Sequence, residues 1–182
     1  MRGALACLLS VVLVAGCGND VTPPPDAQTP DPPAGTREVE LEDAGVAFTA
    51  PFNWPDLQAE GLRAGGIQSK RARVAVWRYE RTEPLPRTAA ELRAAERRLV
   101  DRVRERDASF ELDEARRLER GDARAIELVG RQTIGGRPYG VRSSHIFHDG
   151  AEVVVDAYAP PEHFERVDRT VFVPLLESLE LR

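Results

Sequence analysis

The chain has 182 residues, of which 42% are hydrophobic and 30% are charged, and its formal net charge is −5. These proportions are those of an ordinary globular protein and exclude a chain that is disordered throughout. Because there is no basic excess to neutralise phosphates, we expect no nucleic-acid partner.

The first residues are typical of an export signal. A positive charge at Arg2 precedes an apolar run over residues 4–15, which is too short for a membrane-spanning helix of about 20 residues. The run ends in the motif VAGC, whose cysteine is Cys17, and this motif resembles the lipobox of bacterial lipoproteins. The resemblance implies a signal peptide over residues 1–16, cleavage before Cys17 and attachment of lipid to that cysteine.

Lipid on Cys17 would hold the mature chain on a membrane, because two or more acyl chains, such as palmitate, anchor a protein stably. The predicted location is therefore the cell membrane on its extracytoplasmic side, or the outer membrane in a cell that has two membranes. The alternative is an ordinary signal peptide followed by a chance cysteine. Cys7, the other cysteine, lies in the predicted signal peptide, so we expect no disulfide in the mature chain.

Residues 17–36 are predicted to form a disordered tether. After Cys17 the chain continues as GNDVTPPPDAQTPDPPAGT, which is rich in proline and polar residues and contains no aromatic residue. Such a segment buries too little apolar surface to fold, and its prolines favour an extended backbone. The remaining residues, 37–182, are predicted to form a single domain, since a chain of about 145 residues can enclose one sizeable core.

The domain is predicted to begin with strands. We expect them at residues 37–41, 45–50 and 71–79, and we expect the pair Gly65-Gly66 to mark a turn. The strand at 71–79 alternates between two faces that are both apolar. That pattern indicates a strand in the interior of the sheet.

A helix is predicted to follow these strands. Thr88 and Glu91 have the spacing of a capping box, which marks the start of a helix. Apolar residues then recur at helical spacing as far as about Asp107, and these are Leu92, Ala95, Leu99 and Val103. The other face carries mixed charges and is predicted to face solvent.

The second half of the domain is predicted to be an antiparallel meander and a helix. The expected strands are 110–118, 123–134, 139–148 and 153–158. Asp149-Gly150 is typical of a hairpin turn, and so is the glycine pair before the third of these strands. A C-terminal helix is expected from Pro161, with Pro174 breaking or kinking it. Strands covered by helices indicate an α+β fold.

The order of several short motifs resembles that of PsbP-like domains. The motifs are an apolar strand ending at Pro51, then Trp54, and near the C-terminus Tyr158-Ala-Pro160, Phe164, Phe172 and Leu176-Glu-Ser-Leu179. Asn53 stands where the family usually has glycine. The resemblance covers about residues 46–181. It implies an α/β/α sandwich with a mostly antiparallel sheet and an accessory or binding role, and it carries no catalytic residue.

The three histidines offer one weak metal-site candidate. His145 and His148 are three apart on a predicted strand and therefore point to opposite faces, while His163 lies at a helix start. His148, Asp149 and Glu152 could meet around a hairpin to bind zinc. A charged hairpin tip is more often simply solvated, so we predict no metal site and no cofactor.

Enzyme chemistry has little support in the sequence. The run Ser143-Ser144-His145 lacks the Gly-x-Ser-x-Gly turn of hydrolases, and adjacent strand residues face opposite ways. The carboxylates Asp113, Glu114 and Asp156 are not placed together by any pattern. We therefore expect a protein that is not an enzyme.

Two further groups of side chains have both a binding and a structural interpretation. The aromatic residues Trp54, Trp77 and Tyr79 line either a ligand cleft or the core, and the core is favoured. A basic group could form an anion-binding edge or protect an edge strand from aggregation, and protection is favoured. The members of this group are Lys70, Arg71, Arg73 and Arg78.

The function predicted from these observations is that of a membrane-anchored, extracytoplasmic lipoprotein. Its domain would be a binding or accessory module for an envelope protein or a small ligand. One alternative is a carrier of lipid or another small molecule, which would need an apolar cavity. Another is an envelope hydrolase, which would need a convergent polar cleft.

Overall fold

The computed structural model describes residues 28–120 and 122–182. The predicted signal peptide and the predicted lipidation site, Cys17, lie outside the described residues. None of the helices in the described ranges is both long enough and apolar enough to cross a membrane.

The elements follow one another in the predicted order. The strands of the described chain are β1 (Arg37–Leu41), β2 (Val46–Ala50), β3 (Asp56–Leu57), β4 (Arg63–Ser69), β5 (Ala72–Glu80), β6 (Glu111–Arg120), β7 (Ala123–Ile134), β8 (Arg137–His148), β9 (Ala151–Ala159) and β10 (Glu180–Leu181). The helical segments are a 3-10 turn (Glu42–Ala44), α1 (Ala89–Arg106), α2 (Pro161–Val167), a π-helical turn (Asp168–Phe172) and α3 (Val173–Glu177).

The strands form a large and a small sheet. The large sheet has the order β3-β4-β5-β9-β8-β7-β6, and the small one has the order β1-β2-β10. All the pairings are antiparallel. Helix α1 packs against one face of the large sheet, while the C-terminal helices and the small sheet share a core with the other face. This confirms the α+β class and the α/β/α sandwich.

Helix α1 begins as its sequence predicts. The Thr88 hydroxyl accepts a hydrogen bond from the Glu91 amide at 3.1 Å, and the Glu91 carboxylate accepts one from the Thr88 amide at 2.8 Å. The apolar face of α1 then packs on Ile126 and Leu128 of β7. The main contacts of α1 are with β6 and β7, at one end of the sheet. The same sheet face beside the helix, towards β8 and β9, is therefore not packed against α1.

The glycine pair at 65–66 does not mark a turn, contrary to prediction. Both glycines lie inside β4, and Gly66 pairs with Ala75 of β5. Gly66 has a φ of +148°, and a Cβ atom there would lie 1.9 Å from the carbonyl oxygen of Val74. Glycine is required at this position because a neighbouring strand approaches too closely for any side chain.

Pro174 does not break the C-terminal helix. The π-helical turn immediately before it widens the backbone, and Pro174 lies in the first turn of α3. A first-turn residue needs no partner for its amide, so the missing N–H of proline has no cost there. The helical segments therefore follow one another without interruption from Pro161 to Glu177, and the predicted break does not occur.

Part of the predicted tether lies against the domain. Within residues 28–36, which we call the strap, the Asp31 amide donates a hydrogen bond to Ser69 Oγ at 2.9 Å, and that hydroxyl donates to the Asp31 carboxylate at 3.0 Å. The buried Trp54 ring donates to the Asp31 carbonyl at 3.2 Å. The strap was expected to be disordered from its amino-acid composition. Instead, its backbone and the Asp31 carboxylate bond to side chains distant in sequence, and such contacts cannot be predicted from composition.

Candidate functional site

A cleft of about 760 Å³ lies between α1 and the open face of the large sheet. Its walls include Leu99 and Val103 of α1, and its floor comes from β7, β8 and β9. Apolar floor residues are Leu128, Val141 and Val154, and polar floor residues are Ser143, His145, Glu152, Asp156 and Tyr158. The cleft exists because α1 packs over one end of the sheet and leaves these strands uncovered.

Strand alternation places the polar floor residues on one face. Every second residue of a strand points to the same side, so Ser143 and His145 of β8 share the face that carries Glu152 and Asp156 of β9. The register puts Ser143 directly opposite Asp156. His145 is opposite Val154, and Glu152 is therefore its diagonal neighbour, which is within reach of long side chains.

These side chains form one continuous hydrogen-bonded row. His145 Nδ1 lies 2.6 Å from Glu152 Oε1, and His145 Nε2 lies 3.0 Å from Ser143 Oγ. Ser143 Oγ is also bonded to the Asp156 carboxyl group, which accepts a hydrogen bond from the Tyr158 hydroxyl at 3.1 Å. We call this set the polar row, and its members are Glu152, His145, Ser143, Asp156 and Tyr158. Arg81 forms an ion pair with Glu152 and closes one end of the row.

His145 is neutral at ordinary pH. Burial lowers the pKa of its imidazole to about 3, and the nearby Arg106, Arg102 and Arg81 act in the same direction. The contact with the Glu152 carboxylate places the ring proton on Nδ1. The other ring nitrogen, Nε2, faces Ser143 Oγ.

The other end of the row is driven towards the neutral state as well. Burial raises the pKa of the Asp156 carboxyl group, and burial together with the charge of Asp156 raises the pKa of the Tyr158 phenol. The Ser143 hydroxyl donates to the Asp156 carboxyl group, which also accepts a hydrogen bond from the Tyr158 hydroxyl. The floor is therefore rich in polar groups, and each of its two carboxyl groups has partners within the site: Glu152 pairs with Arg81 and His145, and Asp156 bonds to Ser143 and Tyr158.

The rim of the cleft is basic. Arg102 and Arg106 lie one turn apart on α1, and both line the cleft. Neither makes an ion pair with any of the residues that the structure describes, in contrast to Arg81 and to Arg117, which pair with Glu152 and Glu96. The rim thus carries two cations that no neighbouring carboxylate neutralises by contact.

The predicted aromatic residues have separate places. Trp54 is fully buried in the main core, as predicted. Tyr79, in contrast, lines the cleft. Trp77 lines a smaller groove beside Arg71 and Arg73. In that groove the Arg71 guanidinium lies 4.9 Å from the centre of the Tyr139 ring.

Two members of the basic group, Arg73 and Arg78, lie on β5, which is not at an edge of the sheet. Strand β5 pairs with β4 on one side and β9 on the other, so protection of an edge strand does not explain its arginines. Arg78 pairs with Glu80 at 2.9 Å and donates to the Ala44 carbonyl. Lys70 occupies the β4–β5 turn with a φ of +53°.

The hairpin candidate for a metal site is not assembled. Glu152 faces His145 and Arg81 instead of His148 and Asp149, and within the described residues no three potential metal ligands come together. His163 contacts Thr29 at 3.2 Å. Asp113 and Glu114 pair with arginines of the meander and do not approach Asp156.

The polar row was not predicted from the sequence, where Ser144 and His145 are adjacent and therefore expected on opposite faces. Ser144 does face away from His145 and is fully buried on the opposite side of the sheet. Ser143 and His145, two positions apart, share a face. The signal that could have revealed the row is the alternation in β9, where Glu152, Asp156 and Tyr158 recur at even spacing within an otherwise apolar strand.

The architecture is similar to that of several solved structures. No protein-family model matches the chain, and no curated protein matches it. The solution structure of cyanobacterial PsbP (CyanoP) from Synechocystis sp. PCC 6803 superposes with a TM-score of 0.61 at 15% identity, covering 82% of this chain and 94% of that one. The fold is PsbP-like.

Two other solved structures share this PsbP-like fold. Protein PA94 of Pseudomonas aeruginosa, of unknown function and described as a putative regulator, has a TM-score of 0.54 at 15% identity, over 82% of this chain and 99% of that one. LpqN of Mycobacterium tuberculosis, involved in cell envelope biogenesis, has a TM-score of 0.54 at 16% identity, over 81% and 90%. At these identities the likeness concerns the fold alone.

Proposed function

We propose that this protein is a membrane-anchored, extracytoplasmic lipoprotein whose PsbP-like domain binds a small ligand in the cleft beneath α1. The observation that carries the proposal is the polar row on the floor of that cleft. Ligand sites typically occupy about 300–1,000 Å³, with apolar walls and a few convergent polar groups. The cleft has this size and this lining.

The anchoring part of the proposal rests on the motif that ends in Cys17. Ten residues, 18–27, separate this cysteine from the strap. At about 3.5 Å per residue they span at most about 35 Å, so the domain would remain near the membrane surface. The involvement of LpqN in envelope biogenesis supports a place in the cell envelope.

The anchor is tested by Cys17→Ala in the native host. We expect the variant to remain unprocessed or to leave the membrane fraction, whereas Cys7→Ala, inside the predicted signal peptide, should be processed and retained. Fractionation and intact-mass measurement distinguish these outcomes. A processed Cys17→Ala chain that stays on the membrane would contradict the proposal.

We further propose that the domain works by binding, without catalytic turnover. Ser143, His145 and Glu152 have the connectivity of a nucleophile, a base and an orienting acid. Ser143, however, lies within β8, which pairs with β7 on one side and β9 on the other. Its neighbouring backbone N–H groups are used in pairing, so they cannot form the oxyanion hole that acyl transfer requires.

The cleft is tested by native mass spectrometry of the lipidated protein purified from its own membranes. We expect a bound small molecule that is released on denaturation, and we expect Ser143→Phe, which fills the cleft, to lose it. Circular dichroism and thermal melting establish that this variant is folded. Arg104→Phe, on the solvent face of α1, is the control. Equal retention by Ser143→Phe would contradict the cleft as the site.

A carrier function is a second candidate, supported by the apolar walls that Leu99, Val103 and Val154 contribute. A carrier must release its ligand, whereas a sensing or accessory module retains it. Incubation of loaded protein with empty acceptor vesicles separates the two. Rapid transfer of the bound molecule to the vesicles supports the carrier.

A further inference from the structure

We propose that the ligand of the cleft is a small amphipathic anion, whose charged group lies between Arg102 and Arg106 and whose apolar part lies against the walls beneath α1. This inference rests on the proposed binding function and adds the chemical class of the ligand. It follows from three features of the cleft: its uncompensated charge, the burial of its apolar walls and the state of its floor.

The first feature is the charge balance of the residues that line the cleft. Arg81 is paired with Glu152, and Glu80 is paired with Arg78. Arg78 lies outside the lining, and Asp156 lies on the floor. At the rim, Arg102, Arg106 and the exposed Glu105 remain, and these three side chains together carry an excess of one positive charge. The excess lies on one side of the cleft, where a bound anion would meet both guanidinium groups.

The position of these two arginines is unfavourable without a partner. They stand four residues apart on α1, so their side chains are neighbours on the helix surface, and like charges at this spacing destabilise a helix. Both also act electrostatically on His145, at the floor. A phosphate or carboxylate between them would relieve the repulsion, because guanidinium groups bind such groups with paired hydrogen bonds.

The second feature is apolar. Leu99 and Val103 alternate along α1 with the two arginines, and both are buried against the sheet side of the cleft. Phe110 and Val154 are also buried and add apolar surface to the lining. A ligand whose charged end reached the arginines would therefore place its apolar part against these side chains. The burial of that apolar surface would favour binding.

The third feature is that the floor has little charge to repel an anion. The pKa of Asp156 is raised by burial, and Glu152 is held by Arg81 and His145. Asp156 in turn bonds to Ser143 and Tyr158, so neither carboxyl group of the floor faces the cleft without a polar partner. A cationic ligand, in contrast, would meet Arg102 and Arg106 at the entrance.

The test uses two dyes of nearly the same shape. Anilinonaphthalene sulfonate carries an anionic group, and N-phenyl-1-naphthylamine is its neutral counterpart. We expect the full-length folded protein to bind both in the cleft, and Ser143→Phe to weaken both. The double variant Arg102→Gln/Arg106→Gln should weaken the sulfonate by roughly tenfold, since each charge-assisted contact contributes appreciably, and should leave the neutral dye unchanged.

The matched control is Arg97→Gln/Arg104→Gln, which removes the same charge from the part of α1 that does not line the cleft. The inference would be overturned if both double variants lost sulfonate binding equally. It would also be overturned if neither double variant lost any. If the neutral dye still bound and Ser143→Phe still blocked it, the proposed binding function would survive that result. Failure of both dyes to bind the wild-type protein would count against both proposals.

A competition experiment tests whether binding requires both the anionic group and the apolar part of the ligand. Decanoate joins an anionic group to an apolar chain, whereas inorganic phosphate is an anion alone. We expect decanoate to displace the sulfonate dye at concentrations where phosphate does not. Displacement by inorganic phosphate with no effect of decanoate would contradict the amphipathic class.

Discussion

Ser143 of β8 lies directly opposite Asp156 of β9, and their side chains are hydrogen-bonded to each other on the floor of the cleft. Ser143 also bonds His145, and Asp156 also bonds Tyr158. The contact between Ser143 and Asp156 therefore joins two smaller groups of side chains into a single row. The properties of the row therefore depend on which of its members carry protons, and this can be measured.

We expect Asp156→Asn to preserve the fold. The asparagine amide can donate to Ser143 and accept from Tyr158, as a protonated carboxyl group does. The free energy of unfolding at pH 7, measured with urea, should change by less than about 1 kcal/mol, because no buried polar group loses its partner. Asp156→Leu, which leaves both partners without Asp156, is the comparison and should cost more. A severe loss in the asparagine variant would show that Asp156 is ionised.

We expect His145 to make the protein less stable at acid pH. Its pKa is about 3 in the folded state and about 6.5 in an unfolded chain. Below pH 6.5 the unfolded state binds a proton that the folded state does not, so stability is lost as the pH falls towards 3. The loss attributable to this group is about 1.4 kcal/mol per pH unit.

The measurement compares urea unfolding of the wild-type protein and His145→Gln between pH 4 and pH 7. Asp156 contributes with the opposite sign in part of this range, but it is present in both proteins, and the difference between them isolates His145. His148→Gln is the control and should keep the wild-type slope. An identical pH dependence in His145→Gln and the wild type would show that folding does not lower the pKa of His145.

A second buried group of charges lies on the opposite face of the sheet and holds the C-terminal helix. Arg142 donates to Asp168 of the π-helical turn at 2.6 Å and to Glu127 of β7. The hydrogen bond that Arg142 donates to Asp168 is the main reason that the pKa of Arg142 is raised. We expect Arg142→Ala to cost about 3–5 kcal/mol, because it leaves Glu127 buried without its closest partner.

The double variant Arg142→Met/Glu127→Met should recover much of that stability, since replacing both members of a buried ion pair with apolar residues is often tolerated. Arg116→Ala, at the exposed pair with Glu114, is the control and should have little effect. Urea unfolding measures all three. A double variant as unstable as Arg142→Ala would show that Glu127 was not the reason for the loss.

We expect the strap to decide where proteases cut. Its hydrogen bonds to Ser69 and Trp54 protect residues 28–36, so limited digestion of the full chain by a protease of broad specificity should leave a fragment that begins near Gln28. Asp31→Ala removes the carboxylate bond to Ser69 and should move the first residue of the fragment towards Arg37. Mass spectrometry of the fragments measures both. A wild-type fragment that begins at Arg37 would contradict the docked strap.

Local interactions are what the sequence predicted well. The capping box at Thr88 and the buried stripe of α1 depend on residues three or four apart. The strands of the meander depend on alternation and on turns such as Asp149-Gly150. Such patterns are visible in any short window, because their physical cause lies in backbone geometry within that window. The predicted fold class and element order follow from them.

Contacts between distant residues account for what was not predicted. The need for glycine at position 66 comes from the carbonyl of Val74 on the next strand, and the docking of the strap comes from Ser69 and Trp54. The polar row likewise forms only when β8 and β9 pair in the register that brings Ser143 to Asp156. Each of these depends on which strands become neighbours and in what alignment.

The sequence by itself determined the element order, the helix start at Thr88 and the prediction of lipid on Cys17, since each follows from residues that are neighbours in the chain. Only the tertiary structure decided that a cleft exists and what lies in it. Helix α1 covers one end of the sheet, and the surface it leaves open is where alternate residues of β8 and β9 converge. That convergence depends on packing over long sequence separations, which no short pattern contains.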